Sequence, residues 1–250
     1  MEAVAYLESV IAGLIYLVAG ARLYRFSVRT GGAPERLLSV SLVLWGFCFP
    51  LYDLPYALLD ESMLTPFSFA SRIVLHMGTI AFLLFTRKVF RSRERWATWL
   101  VAGTIVCLVA GVGGSARVGD WEGFYPLSNP WYWLEWVGRT APMAWMGIEG
   151  FVQYRRARPR RRLGLCDPLV CNRFLLWSLT GMLWVFLELV IIAQNIDYEI
   201  NQRWTSSLDF AVSLLELLPV VVIWFVFFPP VSYRNWIANR AAIADAAEGS

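Results

Sequence analysis

The sequence predicts an all-α membrane protein, a bundle of seven transmembrane helices with the N-terminus outside and the C-terminus in the cytoplasm. Three observations support this fold class. Hydrophobic residues make up 58% of the 250 residues and charged residues only 16%, whereas about a quarter of the residues in a soluble domain are charged. Seven apolar segments follow one another, each close to the 20 residues that a bilayer core requires. The loops between them alternate in arginine content.

The seven segments occupy most of the chain. The predicted spans are about residues 4–24, 37–59, 66–86, 96–115, 131–153, 174–196 and 206–228. They leave residues 1–232 as a single transmembrane domain and 233–250 as a short tail, either an interfacial helix or a frayed end. No room remains for a separate soluble enzyme domain. The N-terminus lacks the positively charged region of a cleavable signal peptide, so the first span is expected to stay.

Charged residues and prolines mark the ends of the first three spans. The first span ends in four arginines between Arg22 and Arg36, and the second ends at Asp60. The third begins at Thr65 and Pro66, because threonine is a common helix cap and proline is favoured at the first helical position.

The remaining spans have similar boundaries. The fourth ends before a loop that contains Asp120, and the fifth begins with a predicted cap at Asn129, followed by proline. A run of six arginines from Arg155 to Arg162 separates the fifth span from the sixth. The seventh is stopped by two prolines at 229 and 230.

The distribution of basic residues predicts the orientation. Of the 22 basic residues, 18 lie in the loops between spans 1 and 2, 3 and 4, and 5 and 6, or in the tail. By the positive-inside rule these regions are cytoplasmic, and an odd number of spans agrees with that assignment. Lys88 is the single lysine, and such a strong preference for arginine suggests a GC-rich genome. We therefore expect an integral protein of a bacterial cytoplasmic membrane.

Nine acidic, basic or histidine side chains fall inside the second to seventh predicted spans, where each costs about 2.5–3.5 kcal/mol on insertion scales. The ninth, Glu149, lies toward the inner side. The other eight lie near mid-depth or toward the outside and form the predicted ligand- or proton-binding site: Asp53, Arg72, His76, Glu135, Arg139, Glu188, Asp209 and Glu216. Several are three, four or seven residues apart and so share a helix face. We therefore expect them to surround an outward-facing polar pocket.

A purely structural role for these charges is the alternative interpretation. Glu135 and Arg139 are four residues apart and can form an ion pair within one helix, while Arg72 can neutralise Asp53 or Asp209. Against this, the predicted site holds five carboxylates and two arginines, so these groups cannot all pair one to one. The surplus favours a functional cavity whose carboxylates are protonated, hydrated or matched by a bound cation.

The composition also excludes several cofactors. His76 is the only histidine, so neither a pair of haem ligands nor a zinc site is expected. Its side chain is either a hydrogen-bonded bundle residue or a proton-sensitive switch. Residues 209–213 read Asp-Phe-Ala-Val-Ser, which resembles the Asp-x-x-x-Lys motif of microbial rhodopsins with Ser213 in place of the lysine. Lys88 lies at a helix end, so covalently bound retinal is excluded.

Three functions stay open. The first is a seven-transmembrane, receptor-like sensor that binds a small ligand or proton in the outer pocket. The second is a carrier or channel for protons or a small cation, although the chain lacks the internal repeat typical of many transporters. The third is a non-catalytic subunit of a larger membrane complex, or a homo-oligomer. No motif of a hydrolase, a zinc protease or a phosphate loop indicates an enzyme.

The partners expected from the sequence are the lipid bilayer and a contact at the inner surface. The arginines from Arg155 to Arg162 are candidates for binding anionic lipid or a cytoplasmic partner. The alternative is that this run serves the orientation of the protein alone. Nucleic-acid binding is not expected, and the identity of a ligand is not indicated.

Overall fold

The computed structural model describes residues 2–60, 63–119, 127–201 and 206–248. Within these ranges the regular structure is entirely helical, with eight α-helices and no strand. The helices are α1 (Glu2–Thr30), α2 (Ala33–Leu58), α3 (Leu64–Phe90), α4 (Arg95–Arg117), α5 (Pro130–Arg162), α6 (Pro168–Asn201), α7 (Ser206–Phe227) and α8 (Val231–Glu248).

The apolar helices are those of an integral membrane protein. Five segments in the described ranges are long and apolar enough to cross a membrane: Ser9–Thr30, Ala33–Pro55, Leu64–Phe90, Arg95–Arg117 and Pro168–Asn201. A sixth consists of Leu214–Phe227 together with Val231–Arg240, bent by 78° at the break between them. Helix α5 is not among these segments, because its charged and aromatic residues make it less hydrophobic than the others. The all-α membrane class is confirmed, whereas seven spans and their orientation stay predictions.

Some helix ends differ from those expected. Helix α5 continues to Arg162 and so contains the arginine run expected in a loop, because arginine favours helix and this run is largely exposed. Helix α3 begins at Leu64 after Met63, so the cap predicted at Thr65 was wrong. The cap at Asn129 is confirmed, since its side chain accepts a hydrogen bond of 3.0 Å from the backbone N–H of Trp131.

The helices close into a ring in which chain neighbours run antiparallel. Helix α1 packs on α2, α2 on α3, α5 on α6 and α6 on α7, and α7 returns to α1. There the Arg22 guanidinium lies 4.3 Å from the centroid of the Phe228 ring. Helix α3 contacts both α4 and α5, so α4 packs beside the ring against these two helices. The loops α1–α2, α3–α4 and α5–α6 share one end of the bundle, which we call the arginine-rich end.

Aromatic side chains fill much of the interior. The Trp45 ring centroid lies 5.2 Å from that of Phe82, and the Trp177 centroid lies 5.6 Å from those of both Phe85 and Phe227. These rings come from α2, α3, α6 and α7. Their offset and edge contacts therefore bind four helices into one core.

Glycines allow the closest helix contacts, as is common between membrane helices. A Cβ atom on Gly13 of α1 would lie 2.8 Å from the carbonyl oxygen of Gly46 on α2. A Cβ atom on Gly181 of α6 would lie 2.5 Å from the carbonyl oxygen of Met143 and 2.6 Å from the amide nitrogen of Gly147, both on α5. A side chain at either glycine would push the two backbones apart.

We expect Gly181→Ala to destabilise the bundle by about 1–3 kcal/mol, since overpacking forces backbone shifts. Gly103→Ala on α4 is the matched control, because a Cβ atom there has no neighbour within 4 Å and alanine favours the helix. Thermal unfolding of both variants in detergent, followed by circular dichroism, measures the difference. An unchanged unfolding temperature for Gly181→Ala would contradict the close α5–α6 contact.

Candidate functional site

The predicted site centres on a buried ion pair between α3 and α5. Arg72 and Glu135 are 6% and 5% exposed. The Nε atom of Arg72 lies 2.9 Å and 3.0 Å from the two carboxylate oxygens of Glu135. Its Nη2 atom donates a further short hydrogen bond to Oε2. The guanidinium therefore holds the carboxylate through two nitrogens, the geometry in which arginine pairs most strongly.

His76 completes the contacts around Glu135. Its Nε2 atom lies 2.9 Å from Oε1 of Glu135, and its Nδ1 atom lies within hydrogen-bond distance of the carbonyl oxygen of Arg72, one turn earlier on α3. A carbonyl oxygen and an ionised carboxylate can only accept hydrogen bonds, whereas a neutral imidazole has a single N–H. The contact of Nε2 with Glu135 is a close approach without hydrogen-bond geometry, and an additional proton on the imidazole would make it an attraction between opposite charges.

A second ion pair connects α5 to α6. The Nη2 atom of Arg139 lies 3.3 Å from Oε2 of Glu188, and Arg139 follows Glu135 by one helical turn. Arg139 thus pairs with the neighbouring helix, and the ion pair within α5 considered above is not the arrangement found. Close by, the Asn195 amide of α6 donates a hydrogen bond of 3.1 Å to the hydroxyl of Tyr132 on α5.

These two pairs and the histidine form a single group of charges, which we call the polar cluster: Arg72, His76, Glu135, Arg139 and Glu188. Cations and carboxylates alternate across it from α3 to α6. Each carboxylate has its own arginine, so the surplus of carboxylates expected from the sequence does not lie within this cluster. Its formal charge is zero with a neutral histidine and +1 with the additional proton.

The remaining predicted carboxylates come from α2 and α7. Asp53 is half-buried and accepts a short hydrogen bond from the hydroxyl of Ser9 on α1. The Cys48 thiol of α2 lies within electrostatic range of Asp53, Glu216 and Arg139. That Asp53 and Glu216 share one interior with the polar cluster stays a prediction.

Asp209 and the outward-facing pocket are the parts of the predicted site that the contacts above do not include. The side chain of Asp209 lies outside those that the structure describes. Within the polar cluster the described side chains contact one another directly, and the outward-facing pocket stays a prediction. A cavity of about 320 Å³ lies elsewhere, at the arginine-rich end of α5, and is lined by Phe151, Tyr154, Arg155, Arg158 and Pro159.

A further ion pair joins α3 and α5 at the arginine-rich end. The Nε atom of Arg91 lies 2.6 Å from Oε1 of the buried Glu149, and the indole N–H of Trp145 donates to the same oxygen at 3.3 Å. The hydrogen bond to Glu149 raises the pKa of Arg91, so its guanidinium stays charged. Arg91 was not expected here, because it lies among loop arginines that the orientation already explains. Its contact with the buried Glu149 is what distinguishes Arg91 from the other arginines of this loop.

Comparison of the chain with protein-family models, with curated proteins and with solved structures found no match. What the polar groups do is therefore inferred from their chemistry and their placement in the bundle.

We expect Glu135→Gln to lower the free energy of unfolding by about 3–5 kcal/mol, because it leaves the buried guanidinium of Arg72 without its counter-charge. Adding Arg72→Met in the same chain should recover much of this loss, since no buried charge is then left unpaired. Thermal unfolding in detergent compares the parent, the two single variants and the double variant. Strictly additive losses would contradict a direct pair between α3 and α5.

Proposed function

We propose that the protein is a seven-transmembrane, receptor-like sensor in which proton binding to the polar cluster sets how α3, α5 and α6 pack. One observation carries this proposal. Both ring nitrogens of the buried His76 lie close to oxygen atoms, Nδ1 to the Arg72 carbonyl and Nε2 to Glu135, and Nε2 has no hydrogen-bond partner of good geometry.

Seven spans, with the N-terminus outside and the C-terminus in the cytoplasm, form part of this proposal. Helix α5 packs between α4 and α6, and glycine contacts on both sides have antiparallel register, with Gly111 near Glu135 and Gly181 near Gly147. A helix in that position crosses the bilayer with its neighbours. Helix α8 turns by 78° away from α7, which suits a helix lying on the membrane surface. The arginine content places the arginine-rich end in the cytoplasm.

The effect of the proton follows from the contacts of His76. The protonated ring carries a positive charge whose Nε2 atom lies 2.9 Å from Oε1 of Glu135, and so it ties the two helices together electrostatically. Without the proton, two acceptors face each other in a buried site where the repulsion is weakly screened. Glu188 of α6 also interacts electrostatically with His76, although Glu188 is itself paired with Arg139. The α3–α5 contact therefore loosens at the polar cluster when the proton leaves.

The ion pair between Arg91 and Glu149 converts this loosening into a tilt. Arg91 and Glu149 hold α3 to α5 at the arginine-rich end, so a change at the polar cluster pivots one helix against the other. Glycine contacts keep α6 close to α5, and α6 would move with it. The loops at the arginine-rich end would then change their relative positions, which is the output that a sensor requires.

A proton carrier is less well supported by the same residues. Carrying protons through the bundle needs a polar path from the polar cluster to Glu149. On α5 the buried positions between Arg139 and Glu149 include Met143 and Met146, which belong to the apolar core. Neither side chain can relay a proton.

The first prediction concerns the proton itself. We expect the bundle to change conformation when the pH is lowered, because protonation of His76 places a positive charge beside Glu135. Spin labels at Val89→Cys of α3 and Arg173→Cys of α6, in a chain whose native cysteines are replaced, should report a change in distance by pulsed electron resonance. His76→Gln should abolish that change, because glutamine cannot bind the proton.

A matched control keeps one histidine in the chain but moves it away from the polar cluster. His76→Gln combined with Lys88→His places the ring at an exposed position on α3 and should not restore the response. A pH response that persists in His76→Gln would contradict the sensor. Since His76 is the only histidine, ¹⁵N-histidine labelling of protein without a polyhistidine tag follows its ring protonation directly and shows whether the two changes coincide.

The second prediction separates sensing from transport. Proteoliposomes that contain the protein should show no uncoupler-sensitive proton uptake above that of protein-free vesicles. Uptake that requires Glu135, lost in the folded Arg72→Met/Glu135→Gln variant, would favour the carrier and contradict the sensor.

A further inference from the structure

We infer that the cavity at the arginine-rich end of α5 binds the headgroup of an anionic phospholipid. This site is separate from the polar cluster, and its occupation does not depend on the proton-sensing function. The cavity has a volume of about 320 Å³, and the residues that line it share one side of α5: Phe151, Tyr154, Arg155, Arg158 and Pro159.

Among the described residues, no carboxylate pairs with the arginines of the cavity. Arg155 and Arg158 are three residues apart and so lie on the same side of the helix. Both are exposed, and neither forms an ion pair with a carboxylate in the described part of the chain. The half-buried Tyr154 adds a hydroxyl group beside them. Two guanidinium groups and a hydroxyl are donors that suit the oxygen atoms of a phosphate.

The side of α5 above the cavity is apolar and uncovered. Phe151, Ile148 and Val137 are 48%, 54% and 45% exposed, and they lie four, seven and eighteen residues before Arg155, close to the same helix face. In a bilayer such a face contacts acyl chains. A phospholipid with its phosphate at Arg155 and Arg158 would lay its chain along Phe151 and Ile148, whereas a soluble anion or an acidic protein loop would leave these side chains unused.

Orientation alone does not account for this arrangement. Positive charge on a cytoplasmic loop is sufficient for the positive-inside rule, and it needs neither a cavity nor an adjoining aromatic side chain. Arg25 and Arg29 on α1 lie at the same end of the bundle, are exposed and lie outside the cavity. They are therefore a matched pair for testing charge without the cavity.

Native mass spectrometry of the full chain released from nanodiscs tests the site. The nanodiscs contain phosphatidylcholine and phosphatidylglycerol in equal amounts, and the parent protein should retain phosphatidylglycerol preferentially. Arg155→Gln/Arg158→Gln should reduce that preference about 30-fold, given the usual contribution of two arginines near an anionic surface. Arg25→Gln/Arg29→Gln should reduce it much less, because these arginines contribute only diffuse surface charge. All substituted arginines are exposed, and thermal unfolding confirms that each variant is folded.

Two further measurements distinguish the occupant. Phe151→Ala should weaken phosphatidylglycerol retention without changing the charge of the cavity, and added inorganic phosphate should not displace the lipid. Equal losses in the two double-arginine variants would overturn the site in favour of diffuse surface attraction. Displacement by inorganic phosphate would overturn it in favour of a soluble anion, and a parent protein without lipid preference would overturn it outright.

Discussion

The ion pair between Arg72 and Glu135 is the interaction on which the arrangement of the other polar groups depends. In the apolar interior each of these charges alone would cost several kcal/mol, and their attraction offsets that cost only in good geometry. The bidentate contact provides such a geometry between α3 and α5, two helices separated in the chain by α4. Once the pair forms, His76 is brought against Glu135, and Arg139 is turned toward Glu188 on α6.

Helix α5 carries most of the residues on which the two proposals depend. It contributes Glu135 and Arg139 to the polar cluster, Glu149 to the ion pair at the arginine-rich end, and the arginines of the cavity. It also lies close to α6 through Gly147. Glu135 and Glu149 lie near one face of the helix and Arg155 on the opposite face, so a rotation or tilt of α5 would affect all of these features at once. The proposed sensor therefore needs only one moving helix, α5.

Polar and apolar layers alternate along the length of the bundle. The polar cluster and the ion pair of Arg91 with Glu149 lie at different depths, and between them the core contains Met146 and the rings around Trp177. In the proposed sensor such a layer transmits movement, since packed interiors deform little.

The sequence by itself determined the membrane class, the helical segments, the cap at Asn129 and the helix faces that carry charge, because hydropathy and the helical period are local properties. It could not determine which charges pair. Arg72 had Asp53 and Asp209 as equally plausible partners, and Arg139 had Glu135 one turn away. Only the order of the helices around the ring and the rotation of each helix decided that Arg72 meets Glu135 and that Arg139 meets Glu188. These are long-range packing properties, to which residues more than 45 positions apart contribute together.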